Sequence, residues 1–347
     1  MELLIWSLIF IVSVCALIKA ADWLVLGLQK AAHILGSRTI QTGLPVALIG
    51  VAMPELAASI AAVLQGQPEL AVALVVGSSI ANILLVTGIS ALIGGPLALK
   101  KEYLELDLPL FAASVAAFCF IAADGSINRF EGAVMILMFI VYSCYVFSSR
   151  PRRDITARDI ITPELLGGPA MARIVEMLPT RLEKKLEAAT GAVKHPWWKA
   201  ATFLFGGAAL LVVAANFTIE SLAGISEFIG EFISTPGVIT VMIVLAISTA
   251  LPELFGSLEA VRTKRDGLTI GNLFAATTVN LLLVCGVASQ FTTLVFGGVV
   301  LAVGLPFLAA AALLLAVSVI PGKINSGEGA LFLFLYFLFF VKLLGLF

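Results

Sequence analysis

The chain has 347 residues, of which 60% are hydrophobic and only 12% charged, against roughly 25% charged in a usual soluble domain. Its mean hydropathy is +1.09. A water-soluble fold of this size cannot hide that much apolar surface. The composition therefore excludes a soluble enzyme, a nucleic-acid binder or a disordered scaffold, and makes this an integral membrane protein.

A helix needs roughly 20 apolar residues to cross the hydrocarbon core. In chain order, such stretches lie at about 3–31, 39–64, 69–96, 104–122, 128–148, 199–226, 236–261, 268–290, 295–320 and 326–346. The first contains Lys19 and Asp22 and lacks a small-residue cleavage site, so it reads as a retained helix rather than a signal peptide. The spans predict an all-α integral membrane fold of ten helices. The net charge of −1 names no electrostatic partner. Cys15, Cys119, Cys144 and Cys285 all sit in apolar runs, without metal-ligand or disulfide spacing, and read as small core residues.

Positive charge tests the count of spans. With the N-terminus outside, the inside loops carry Lys30, Arg38, Lys100, Lys101, Arg262, Lys264, Arg265 and Lys323, together with the basic residues of 149–198 and Lys199 at its edge. Of 21 Lys and Arg, only Lys19, Arg129 and Lys342 fall elsewhere. The positive-inside rule makes the crowded side cytoplasmic, which places both termini outside and predicts a prokaryotic inner-membrane protein. The 149–198 segment is the one long hydrophilic stretch and reads as a cytoplasmic linker between two halves. It lacks the acidic clusters that a regulatory ion-binding domain would need. Trp197 and Trp198 at its end suit an interfacial anchor.

An internal repeat organises the rest. Gly50-Val-Ala-Met-Pro-Glu-Leu-Ala-Ala-Ser59 matches Ser248-Thr-Ala-Leu-Pro-Glu-Leu-Phe-Gly-Ser257, and Asn82-Ile-Leu-Leu-Val-Thr-Gly88 matches Asn280-Leu-Leu-Leu-Val-Cys-Gly286. Glu55 to Glu253 and Asn82 to Asn280 share one offset of 198. A weaker echo joins Ala20-Ala-Asp22 to Ala214-Ala-Asn216. The unit is five helices, an odd number, so the second copy enters the membrane from the opposite side. The expected architecture is two inverted five-helix repeats, 1–148 and 199–347. In secondary transporters built this way the substrate site lies near the midplane, between the halves.

Glu55 and Glu253 fall mid-span in helices 2 and 7, where an ionisable group is costly and marks a functional site by default. A bland alternative is pairing with a buried base. Lys19 is the only conceivable partner, and it could serve one Glu but not both. Each Glu follows a proline, Pro54 or Pro252, which removes an N–H and loosens the preceding turn. That turn's carbonyls, including those of Val51 and Thr249, are then expected to be available, with the helix broken where its backbone lines a cavity. Two carboxylates with several neutral oxygens suit a hard divalent cation such as Ca²⁺. Asn82 and Asn280 add amides from helices 3 and 8, and Ser78 lies one turn before Asn82 on the same face. Asp22, Asn216 and Glu220 are more ambiguous, and Glu259 reads as a mouth or salt-bridge residue.

These blocks resemble the sodium/calcium exchanger family of the calcium/cation antiporter superfamily, whose two repeats carry a G-T-S-x-P-E-L block followed by G-S-N-x-x-N. The resemblance covers the ten-helix plan, both repeats, the orientation and the central loop. It implies that Glu55 and Glu253 hold Ca²⁺ together with the Val51 and Thr249 carbonyls, and that Ser78, Asn82 and Asn280 belong to the sodium sites. This chain departs from the pattern at Val51-Ala52, at Ala250 and at Ala276, where the family carries hydroxyls, and neither Asn position is an Asp. Most hydroxyl ligands of the sodium sites are therefore missing.

The expected function is a secondary antiporter that exchanges a divalent cation, Ca²⁺ first, for Na⁺ or H⁺ by alternating access, with the lipid bilayer as its surroundings and without a cofactor. Helices 2, 3, 7 and 8 form the expected core, and helices 1 and 6 slide against it. Rivals are a proton-coupled exporter of Mg²⁺ or Mn²⁺ and a passive cation channel. An intramembrane hydrolase would need a Ser with His, paired Asp or a His-rich motif, and the sequence has none.

Overall fold

A computed structural model describes residues 2–34, 52–99, 103–149, 197–229, 236–262 and 266–345. Long apolar helices make up nearly all of it, and among the described residues nine are long and apolar enough to cross a membrane. The protein is thus a multi-pass membrane protein. The shorter apolar helix Met53–Leu64 is the described part of the second expected span. Val51, expected in the ion site, and most of the 149–198 segment lie outside the described residues.

The first half runs α1 (Glu2–Ile34), α2 (Met53–Leu64) and α3 (Pro68–Ile80). A π-helical segment, π1 (Ala81–Val86), leads into α4 (Thr87–Gly94) and the short strand β1 (Leu97–Ala98). A second π segment, π2 (Tyr103–Asp107), opens α5 (Leu108–Ile121), and β2 (Ser126–Ile127) precedes α6 (Arg129–Ser149). The second half runs α7 (Trp197–Ile229), α8 (Pro236–Thr240), π3 (Val241–Leu245), α9 (Ala246–Arg262), α10 (Asp266–Val279), π4 (Asn280–Val284) and α11 (Cys285–Phe291). It ends with β3 (Leu294–Val295), π5 (Val300–Gly304), α12 (Leu305–Val319), β4 (Lys323–Ile324) and α13 (Ser326–Leu343).

Proline in the first turn opens α2 and α3, where its missing N–H has no intrahelical partner to lose. An Asn-x-x-Glu box starts α6 and α13. The Asn128 amide nitrogen donates to Glu131 Oε2 at 2.8 Å, and that of Asn325 donates to Glu328 Oε2 at 2.7 Å.

The contacts of one half recur in the other with partners exchanged. β1 pairs antiparallel with β4, and β2 with β3. Helix α4 packs on α13 as α11 packs on α6, and α9 lies against π1 and α4 as α2 lies against π4 and α11. Helices α1 and α7, and α5 and α12, pack on their own counterparts. A repeat of contacts with exchanged partners is the mark of a two-fold relation between the halves. Small residues make the contacts close, as membrane helix packing requires. A Cβ added at Gly88 would sit 3.0 Å from the Gly329 carbonyl, and one at its counterpart Gly286 would sit 3.0 Å from the Gly132 carbonyl.

The centre is the segment Pro68–Gly94 and its counterpart Thr269–Phe291, both almost wholly enclosed. Val72, Ala73, Leu74, Val75 and Val76 are fully buried. Outside them lies the α1–α7 pair, each helix 33 residues long. Gly207 brings the two backbones together, since a Cβ there would meet the Leu24 nitrogen at 3.0 Å and the Ala20 carbonyl at 3.1 Å. The outer faces of these two helices carry Leu4, Leu8, Phe205 and Val212, all exposed, as suits helices against lipid. Of the four cysteines only Cys285 is buried. Cys119 is intermediate and Cys15 and Cys144 are exposed, so the expectation of four core cysteines fails for those on the outward faces of their helices.

Candidate functional site

Helix α2 begins at Met53 with Pro54 in its first turn, so Glu55 stands beside a helix start rather than mid-helix. Its side chain is 1% exposed. In the other half the expected break is absent. Pro252 lies inside the continuous helix α9, and Glu253 follows it, half-buried. The upstream turn keeps its polar atoms occupied through side chains. Ser248 Oγ donates to the Val244 carbonyl at 2.7 Å, and Thr249 Oγ1 to the Ala246 carbonyl at 3.3 Å. Neither bond reaches the Ser248 carbonyl, whose helical partner would be the N–H that Pro252 lacks.

Glu55 and Glu253 lie near enough for their charges to interact, and Thr249 lies beside the Glu55 carboxylate. Glu55 Oε2 and Glu253 Oε2 are both buried without a partner among the described residues. Lys19 serves neither; it pairs with Asp22 on its own helix at 3.4 Å. Asn216, from the weaker repeat, accepts a hydrogen bond from Gln65 Nε2 at 3.2 Å.

The amides arrive from the enclosed helices. Asn82 is the second residue of π1 and Asn280 opens π4, and both are buried. π-Helical turns are rare and occur often at functional sites. Because π1 lies on α9 and π4 on α2, each Asn is set beside the helix that carries the other half's glutamate. Asn280 Nδ2 donates to Ser78 Oγ at 3.2 Å across the interface of the halves. Ser78 in turn donates to the Val75 carbonyl at 3.3 Å. The position matching Ser78 is Ala276, so Asn82 lacks the equivalent partner, and both its Oδ1 and its Nδ2 are unpaired among the described residues.

The structure therefore brings together Glu55, Glu253, Thr249, Ser78, Asn82 and Asn280. Sequence reasoning missed Ser59, Ser79, Thr277 and Thr278, whose hydroxyls are buried and unpartnered. Ser59 lies one turn beyond Glu55, and Ser79 and Thr277 occupy matched positions; hydroxyls at helical spacing in an apolar run were the available signal. Among the described residues no three of His, Cys, Asp and Glu come together as a metal cluster. Charge at this site comes from two carboxylates, with hydroxyls and amides completing the polar surface. Unpaired polar atoms at membrane depth are costly, and in native proteins each calls for water or an ion. A cavity of about 630 Å³ lies at the α2–α3 turn, between Gln67, Glu69, Leu222, Ser226 and Val241, and opens beside this core.

The family described as "Sodium/calcium exchanger protein" matches residues 5–148 and 199–345. The sodium/calcium exchanger MaX1 of Methanosarcina acetivorans is 25% identical, with 97% of each chain covered. The inner membrane protein YrbG of Escherichia coli K12 is 25% identical over 84% of this chain and 81% of its own. Among solved structures, the sodium-calcium exchanger NCX_Mj superposes with a TM-score of 0.59 at 22% identity, covering 97% of both chains. An H⁺/Ca²⁺ exchanger, CAX, superposes with a TM-score of 0.69 at 15% identity, covering 98% of this chain and 82% of its own. With the family matched over both halves of the sequence and the fold shared along nearly the whole chain, the protein belongs to the sodium/calcium exchanger family.

Proposed function

We propose that the chain exchanges Ca²⁺ for protons by alternating access, at a site built from Glu55, Glu253, Asn82, Asn280, Ser78 and the Val51 and Thr249 carbonyls. The observation that carries this reading is the pair of neighbouring carboxylates, each with an unpartnered buried oxygen, among neutral polar groups. One Ca²⁺ neutralises the two charges, and oxygen donors suit a hard cation. An empty site with two close carboxylates in low dielectric is disfavoured by repulsion and desolvation, so two monovalent cations must replace each Ca²⁺. Ala52, Ala250 and Ala276 offer no hydroxyl to Na⁺, which favours protons. The solved relatives include one named as an H⁺/Ca²⁺ exchanger and one as a sodium-calcium exchanger. Sodium is accordingly the second reading for the counter-ion, and Mg²⁺ or Mn²⁺ for the divalent ion.

Two five-helix repeats, 1–148 and 199–347, joined by a cytoplasmic loop at 149–198, fit the exchanged contacts. With an odd number of spans per repeat, the two-fold runs in the membrane plane and both termini lie outside. The α1–α7 pair then moves as a unit past the enclosed helices, exposing the site to one side at a time. The test is ⁴⁵Ca exchange in proteoliposomes under an imposed pH gradient and then an imposed Na⁺ gradient. Glu55→Gln and Glu253→Gln are each expected to abolish exchange while folding is kept. Near wild-type uptake by both variants would overturn the site, and flux that requires Na⁺ while ignoring the pH gradient would overturn the proton.

A further inference from the structure

A pair of matched contacts breaks the two-fold relation between the halves. Helix α7 packs closely on α2, whereas the matching helices α1 and α9 barely touch. Burial follows the same division. On α2, Pro54, Glu55 and Ala58 are all buried. Their matches on α9 are uncovered, with Pro252 and Gly256 exposed and Glu253 half-buried. Phe255 beside them is 66% exposed, and a Cβ added at Gly256 would meet nothing within 4 Å. The side of the site reached along α2 is thus covered, and the side reached along α9 is not.

Side chains tie the covered side. Gln65 caps the C-terminus of α2, where its backbone nitrogen donates to the Ala61 carbonyl at 3.0 Å. Its side chain crosses to α7, and Nε2 donates to Asn216 Oδ1 at 3.2 Å and to the Asn216 carbonyl at 3.4 Å. Asn216 Nδ2 is occupied by the Val212 carbonyl of its own helix at 2.9 Å, which leaves Oδ1 as the atom presented to Gln65. Asp22 is the match of Asn216 on α1, and it turns instead to Lys19 of its own helix at 3.4 Å. The match of Gln65, just beyond α9, is a threonine, Thr263, with no amide to give.

We propose that Gln65 and Asn216 form a latch that holds the α1–α7 pair on α2 and keeps the site closed to the outside while it is open to the cytoplasm. The proposal rests on the alternating access and the orientation proposed above. Gln65 and Asn216 touch no ion. They are positioning residues that set the balance between the two forms. In the opposite form α7 leaves α2, the latch parts, and α1 closes on α9. Apparent affinity from one side scales with the fraction of molecules open to that side, so a latch that favours one form weakens binding from the other face. A hydrogen bond between membrane helices shifts such a balance by about threefold on average and up to about eighteenfold.

The test compares the two faces of the membrane. Gln65→Met removes the donor at similar length, Asn216→Leu removes the acceptor, and Asn216→Asp keeps an oxygen in place. In sided proteoliposomes, Gln65→Met and Asn216→Leu are each expected to lower the half-saturating Ca²⁺ concentration at the outer face by about threefold, with a change below about twofold at the inner face. Asn216→Asp is expected to keep both wild-type values. Matched reporter cysteines read the same balance without transport, because an impermeant methanethiosulfonate reacts with the thiolate and so requires water. With labelling resolved by mass spectrometry, Gly256→Cys is expected to react from the cytoplasmic side and Ala58→Cys to react from outside about tenfold more slowly. Adding Gln65→Met should raise the rate at position 58 by about threefold. Affinity that falls equally at both faces, or changes at neither, would overturn the latch, since a bond with a merely structural role has no side. Reaction at position 58 as fast as at position 256 with the latch intact would overturn the assignment of the closed side. Reaction of both positions from both sides would instead overturn the alternating access on which the latch depends.

Discussion

The hydrogen bond from Asn280 Nδ2 to Ser78 Oγ, 3.2 Å long and buried, exists in one half only. Ser78→Ala should therefore cost stability, and Ala276→Ser should gain it by giving Asn82 the partner it lacks. Side-chain hydrogen bonds between membrane helices are worth about 0.6 kcal/mol on average and up to about 1.7, whereas orphaning a buried amide costs about 1–3 kcal/mol. Both consequences follow from Ser78→Ala, so its cost should be about 1–2 kcal/mol. Ala276→Ser adds a bond without removing one and should gain about 0.6 kcal/mol. Taking about 2 °C per kcal/mol for a large chain, the melting shifts are roughly 2–4 °C down and 1 °C up. Thermal unfolding in detergent reads them, with chelator present and Na⁺ absent so that ion binding does not contribute. The Ser78→Ala/Ala276→Ser double variant should recover part of the loss. A silent Ser78→Ala, or an Ala276→Ser that destabilises, would refute the reasoning.

Three further outcomes follow from features elsewhere in the molecule. Gly94→Ala forces a methyl into Val261, and overpacking of this kind costs about 1–3 kcal/mol; adding Val261→Ala should restore stability, as read by the same melting assay. A tag at residue 170 should be accessible only from the cytoplasmic side and tags at the termini only from outside, and labelling of residue 170 from outside would overturn the orientation. With liposomes clamped by valinomycin and K⁺, exchange of one Ca²⁺ for two protons should be independent of voltage. A flux that changes steeply with voltage rules that stoichiometry out.

The spans were legible because hydrophobic length has one meaning in a bilayer, and the repeat because Pro-Glu and Asn recur at one offset. The expectation that Glu55 and Glu253 belong to one site followed from that repeat. What escaped was whatever depends on backbone register. Nothing in Ala81–Val86 or Asn280–Val284 distinguishes a π turn from an α turn by composition, since both are apolar runs with one Asn. The two-residue strands β1 to β4 are too short to leave a pattern. Pro252 shows the limit of a single-residue rule, because α9 runs through it from Ala246 to Arg262 without a break. The Asn-x-x-Glu boxes at α6 and α13 were in plain view, and would have fixed those two helix starts.

The long pair α1 and α7 has a mechanical consequence. The apolar part of α1 spans 27 residues and that of α7 spans 29, or about 40 Å and 44 Å at 1.5 Å per residue. A hydrocarbon core of about 30 Å holds such lengths without exposing apolar ends only if the helices lean by roughly 40° or more, or if the lipid thickens locally. A thicker bilayer would draw the pair upright and a thinner one would lay it down. Since the two helices touch along their length and meet α2, α8 and α9, a change in lean displaces them past both glutamate-bearing helices. In the proposed alternating-access cycle, hydrophobic thickness thereby becomes a mechanical input, and acyl-chain length, with no chemical change at the proposed site, would shift the balance between its two accessible sides.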